Sequence, residues 1–141
     1  MHQPSRISPQ QFEELIQTTI PLSRVMPFTV LSLVQGEATL RVGFDEVQLR
    51  AGGTLNGPTM MTLADTALYA AVLSCVGYEP LAVTSNLSIH FLRKPEPRPL
   101  LAVARILKVG RRLVVGVVEL RSEGHEDLVA HASGAYALPG A

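Results

Sequence analysis

One cysteine, Cys75, stands alone among the 141 residues. A lone thiol excludes an internal disulfide framework and a cysteine-based zinc site, and makes a reducing cytoplasm the expected compartment. Net charge is lacking as well. Twelve basic residues balance twelve acidic ones, so no basic footprint points to nucleic acid. The opening MHQPSRISPQQFEEL has none of the apolar core of a secretory signal. No lipidation motif, internal repeat, low-complexity tract or linker interrupts the chain. It reads as one domain over residues 1–141, with residues 1–7 as a flexible lead. At 47% hydrophobic residues the composition is globular, and the length suits a single real core.

One long hydrophobic run is present: LNGPTMMTLADTALYAAVLSCVG, Leu55 to Gly77. A membrane span needs about 20 apolar residues, so length alone would allow one. Asp65, however, would sit near the bilayer centre, where an acid costs roughly 2.5–3.5 kcal/mol. Three threonines and a serine lower the hydrophobicity further, and no basic cluster flanks either end. The run is therefore expected to be a core helix, with no membrane partner.

Around it the chain alternates as sheet does. ISPQQFEELIQTTIP predicts a short amphipathic helix, with Ser8 as N-cap, Pro9 in the first turn and Gln11 completing a capping box. Phe12, Leu15, Ile16 and Thr19 share one face, and Pro21 ends the helix. Two strands follow, about 28–35 and 37–44, turning at Gln35-Gly36, with Leu40, Val42 and Phe44 facing one way. After the long helix come a strand from about 81 to 93, two strands joined by a tight KVGR hairpin, and a last strand in DLVAHASGAYAL. This order predicts an α+β fold, an antiparallel six-stranded sheet wrapped around one long central helix.

The single acid in that helix raises the question of chemistry. Asn56 is a good N-cap, and Pro58 belongs in a first turn. The first-turn N–H groups at Gly57 then form a donor site able to polarise a carbonyl oxygen. Asp65 lies eight residues further on, about 12 Å along the axis. Reacting groups must approach within about 3–3.5 Å, so one helix cannot bring both to the same carbonyl. If both serve one reaction, a second copy of the helix must supply the other half, which predicts a homodimer with sites across its interface. Ala64, Ala67, Ala70 and Ala71 permit close packing. On the residues alone, a structural Asp65 bonded to a nearby threonine, to Tyr69 or to backbone stays open as the alternative.

Other polar residues carry blander readings. His90 falls on the wet face of a strand, His125 in a polar turn and His2 near the terminus. Asp127 and His131, read as one strand, would lie about 13 Å apart on one face. No metal site is expected. Cys75 reads as packing, and Met60 and Met61 as core or pocket lining. Tyr69, one turn past Asp65, can bond the acid, line a pocket or pack.

The motif NGP (Asn56-Gly57-Pro58) followed by LAD (Leu63-Ala64-Asp65) resembles the central helix of the hotdog-fold acyl-CoA thioesterases, in particular the phenylacetyl-CoA-type (PaaI-like) branch. There an HGG turn opens the helix and LAD or LVD follows. The order of elements, the strand VTSNLSIHFLRKP and the hairpin of KVGRRLVVGVVEL fit as well. The likeness runs from about residue 25 to 138. It implies Asp65 as nucleophile or general base, the Gly57 N–H polarising the thioester carbonyl, Asn56 in the same turn as a further catalytic candidate, and Thr84 at a position where some members carry a water-placing hydroxyl. The implied substrate is a small or medium acyl-CoA, with no bound cofactor. The implied partner is a second copy of the chain, paired again as a dimer of dimers.

Three departures stand out: Asn56 replaces the histidine, Pro58 the second glycine, and Arg50 an asparagine six residues before the turn. Arg50 can bind a phosphate or carboxylate, or face solvent. Pro58, Met61 and Tyr69 are candidates for the acyl pocket. Arg93, Lys94, Arg111 and Arg112 are candidates for the phosphates of coenzyme A, with solvated loop charge as the alternative. A hotdog dehydratase or hydratase would need a His paired with an acid, or an Asp-x-Asn-Pro-x-His run, and neither is present. A non-catalytic acyl-CoA-binding hotdog protein is the other reading left open.

Overall fold

Local chemistry sets the helix starts. In the computed structural model, which describes residues 2–140, helix α1 spans Pro9–Thr19. The Ser8 hydroxyl accepts from the Gln11 N–H at 3.1 Å, and the Gln11 side chain accepts from the Ser8 N–H at 2.8 Å. Phe12, Leu15 and Ile16 of α1 are buried. Thr19 is exposed, its hydroxyl turned back to the Leu15 carbonyl. Residues 3–7, expected from the sequence as a flexible lead, lie against the rest of the chain. Gln3 accepts from the Gln35 N–H, Pro4 bridges Val34, the Arg6 N–H donates to the Ser74 carbonyl, and Ile7 is in the core.

Six strands form one antiparallel sheet: β1 Phe28–Val34, β2 Glu37–Val42, β3 Val83–Phe91, β4 Leu100–Val109, β5 Leu113–Ser122 and β6 Leu128–Ala137. Their spatial order is β1-β2-β4-β5-β6-β3. Leu40 and Val42 face inward as expected. Phe44 lies past the end of β2 and is exposed. Asp127 precedes β6 rather than sharing it with His131.

The sheet curls around α2, Gly57–Val76. That helix is long and apolar enough to cross a membrane, and its apolarity has a structural cause: most of it is enclosed by the sheet. Gly116 and Gly134, paired across β5 and β6, let the helix come close. A Cβ on Gly134 would lie 2.6 Å from the Asn86 carbonyl oxygen and 3.2 Å from a Leu68 methyl; one on Gly116 would meet Leu68 at 2.8 Å. We therefore expect Gly134→Ala to lower stability by about 2 kcal/mol through overpacking, read as a fall in the denaturant midpoint without a change in slope.

Only one stripe of α2 escapes burial. It runs through Pro58, Met61, Thr62, Asp65 and Thr66. Strand β3 is an edge strand, bonded to β6 on one side and, among the described residues, to no strand on the other. It is exposed along most of its length, including Val83 and Phe91, with Leu81 and Leu92 exposed just beyond its ends.

Candidate active site

The first turn of α2 presents a single spare donor. Asn56 caps it, its side-chain oxygen accepting from the Thr59 N–H at 2.8 Å and the Thr59 hydroxyl at 2.6 Å. Pro58 has no N–H. The Gly57 N–H is left without a hydrogen-bond partner among the described residues, where the helix dipole favours a developing negative charge.

Gly57 lines a cleft of about 430 Å³. Leu55, Met60 and Phe91 give the cleft an apolar floor, and Arg50, Arg93 and Lys94 line it as well. The Phe91 ring lies against Gly57, with Cζ 3.4 Å from where a Cβ would stand. Arg50 sits in a tight loop whose Gly52 and Gly53 take φ of +92° and +78°, angles that favour glycine. The Leu55 N–H donates to the Pro95 carbonyl, tying this loop to the segment that carries Arg93 and Lys94. Arg93 donates to the Leu128 carbonyl. Neither Arg50 nor Lys94 pairs with a carboxylate among the described residues.

Asp65 belongs to a different neighbourhood. Thr84 and Tyr136 are direct cross-strand partners on β3 and β6. Both hydroxyls donate to the same carboxylate oxygen, Asp65 Oδ1, each at 2.7 Å. The Tyr136 hydroxyl also lies 3.0 Å from the Asp65 carbonyl oxygen. Asp65 Oδ2 has no partner among the described residues and is not buried. Burial, and then the Asp65 charge, push the Tyr136 phenol far above its ordinary pKa, so it remains a protonated donor.

Other candidates scatter. Tyr69 is buried, stacked on Tyr136 at 5.4 Å and edge-on to Phe12, with its hydroxyl on the Pro80 carbonyl. It packs; it neither lines the cleft nor bonds the acid. Met61 is exposed on the open stripe of α2, and its neighbour Met60 lines the cleft instead. Pro58 faces a separate shallow groove with Val25, Met26 and Val47. Arg111 and Arg112 lie near the far end of α2, beside Val76 and Glu79. Within one chain the basic candidates thus fall into two groups. His90 is the cross-strand partner of His131, which is paired with Glu119 in turn. Among the described residues no three of His, Cys, Asp and Glu converge as metal ligands.

Sequence reasoning missed Tyr136. The signal was there: in β6 it alternates with Ala132 and Gly134 on the inward face, where a hydroxyl needs a partner. Finding that partner requires knowing that β6 pairs with β3.

The thioesterase superfamily model matches residues 52–129, more than half of the chain. A Pseudomonas aeruginosa protein provisionally named an esterase is 32% identical over 133 residues, covering 93% of this chain and 97% of that protein. The crystal structure of a provisionally named thioesterase from Silicibacter sp. TM1040 superposes with a TM-score of 0.86 at 41% identity, covering 99% of this chain and 96% of that one. A variant of phenylacetic acid degradation protein PaaI from Thermus thermophilus gives a TM-score of 0.74 at 28% identity, covering 84% of this chain and 98% of that one. The chain belongs to the thioesterase superfamily, and its fold is that of the hotdog thioesterases. Membership supports thioester hydrolysis as the general activity.

Proposed function

We propose that this chain is a cytoplasmic acyl-CoA thioesterase of the PaaI-like kind, hydrolysing a small or medium acyl thioester at sites shared between two copies. The observation that carries the reading is the separation of its halves. Gly57 lines the cleft, while Asp65, Thr84 and Tyr136 are absent from its walls. The two groups are also about 12 Å apart along α2.

A two-fold pairing of β3 with its own copy would close the gap. The open edge of β3 is a ready template for another strand. Thr84, beside Asp65, lies near one end of β3, and Phe91, against Gly57, is at the other. Antiparallel pairing about the strand's middle sets the Thr84 end of one chain beside the Phe91 end of its partner. The acid of each copy then faces the donor turn of the other. A dimer of dimers would repeat the unit.

In this reading the acyl group lies on Leu55, Met60 and Phe91, and the thioester carbonyl oxygen accepts from the Gly57 N–H. Asp65 of the partner copy either attacks the carbonyl carbon, leaving an acyl anhydride that water then hydrolyses, or takes a proton from a water that attacks and returns it to the departing thiolate. The tetrahedral oxyanion is held by the same N–H, and collapse expels the coenzyme A thiolate. Arg50, Arg93 and Lys94 offer charge-assisted hydrogen bonds to the phosphates. Arg111 and Arg112 stand too far from this cleft to join them within one chain.

The capping role of Asn56 favours a second reading, a non-catalytic acyl-CoA-binding protein. Asn56 has no imidazole to offer the carbonyl, and its side-chain oxygen is spent on capping the helix at Thr59. Thiol release from a panel of short, medium and aryl acyl-CoAs separates the two. Turnover of at least one member supports the thioesterase. Tight binding of the panel with no thiol released contradicts it.

A further inference from the structure

Both recorded hydrogen bonds to the Asp65 carboxylate end on one oxygen. Thr84 Oγ1 and Tyr136 Oη each lie 2.7 Å from Oδ1, while Oδ2 has no partner among the described residues. We propose that Tyr136 is a positioning residue which, with Thr84, pins Oδ1 and leaves Oδ2 as the one oxygen of Asp65 that reacts. The inference rests on the proposed thioesterase reading and adds to it the choice of oxygen and the residue that makes the choice.

The arrangement suits that task. Each hydroxyl has one proton to give. The shorter of Tyr136's two approaches is to Oδ1, at 2.7 Å against 3.0 Å to the Asp65 carbonyl oxygen. A carboxylate held by one donor can still swing about that bond. Two donors from adjacent strands fix the plane of the group as well as its position. The Tyr136 ring is itself clamped by its parallel stack on Tyr69, whose hydroxyl is fixed to the Pro80 carbonyl. The raised pKa of the buried phenol keeps it a donor at every working pH, so it cannot compete with Asp65 as a base. Oδ2 is left unburied on Asp65 and unpartnered among the described residues, free to meet a partner's cleft.

The test compares steady-state kinetics and melting temperature of the full-length wild type with five variants, on the best substrate of the acyl-CoA panel. Tyr136→Phe keeps the stacked ring and removes only the hydroxyl. It is expected to lower kcat about 10- to 100-fold, the scale of a misplaced reacting group, with KM within about twofold of wild type. Thr84→Val is expected to act in the same way and Thr84→Ser to restore most of the rate. One donor alone leaves the carboxylate free to swing, so the two hydroxyls act as a unit and the double variant Tyr136→Phe/Thr84→Val should lose less than the product of the two single losses. Asp65→Asn is the control for the parent reading. If Asp65→Asn is inactive while Tyr136→Phe keeps kcat within twofold of wild type, the positioning role is overturned and the thioesterase reading stands. A Thr84→Ser variant no faster than Thr84→Val overturns the role as well. If Asp65→Asn turns over at the wild-type rate, the parent reading fails and this inference fails with it. Should Tyr136→Phe melt below the assay temperature, all the variants are compared at a lower temperature at which each is folded, and the same outcomes decide.

Discussion

Asp65→Asn is expected to lower kcat for acyl-CoA hydrolysis by about 10³-fold, the middle of the range that a positioned base contributes, while acyl-CoA binding persists. The substitution keeps size and shape and removes only the ionisable oxygen. Thr84 and Tyr136 can still donate to the amide oxygen, so the local hydrogen bonds survive. Nothing else on the open stripe of α2 can take over: Pro58, Met61, Thr62 and Thr66 carry no basic group at neutral pH. Thiol release measures the rate, and calorimetric titration with a slowly hydrolysed acyl-CoA measures binding. A variant that keeps a tenth of the wild-type rate would remove Asp65 from the chemistry and return it to the structural role that the residues alone allowed.

Gly57→Pro tests the other half of the site. Proline at this position deletes the one unpaired N–H of the first turn, and the loss of one oxyanion donor typically costs about 10²–10³ in kcat. The fold should accept it. Proline is favoured at the first helical position, and the preceding Asn56 is already extended at φ −83° and ψ 160°, the conformation that a following proline requires. Gly57→Ala is the control. It keeps the N–H, and its Cβ would meet Phe91 at 3.4 Å, an ordinary contact, so most of the activity should remain. Equal losses in the two variants would assign the effect to crowding against Phe91 rather than to the donor.

Much of this was legible from residues close in sequence. The Ser8–Gln11 capping box, the Asn56 cap and the hairpin at Gly110 depend on neighbours a few positions apart, and each formed where expected. The apolar helix with strands on both sides of it in sequence led to the fold because burial of an all-round hydrophobic helix has few solutions. What stayed hidden depends on pairing across the chain. Tyr136 reaches Asp65 only because β6 lies beside β3. Met60 rather than Met61 lines the cleft because the turn of the helix, not sequence adjacency, decides which of two neighbours faces inward. Arg111 and Arg112 looked alike to Arg93 and Lys94 as loop charge, yet the hairpin carries them to the far end of α2. The burial of Ile7 is not visible in the sequence because a single buried side chain in a polar segment has no periodicity to announce it.

The shared site is tested most directly by mixing two inactive proteins. Asp65→Asn and Gly57→Pro chains are unfolded together and refolded, or co-expressed, so that hetero-pairs form. A hetero-pair holds one site with both lesions and one with neither, because the intact Asp65 comes from the Gly57→Pro chain and the intact Gly57 from the Asp65→Asn chain. With random pairing about half of the dimers are mixed, and each has one of two sites restored, so recovery to about a quarter of wild-type kcat is expected. If the acid and the donor act within one chain, every site in the mixture carries a lesion, and the rate stays at the level of the separate variants.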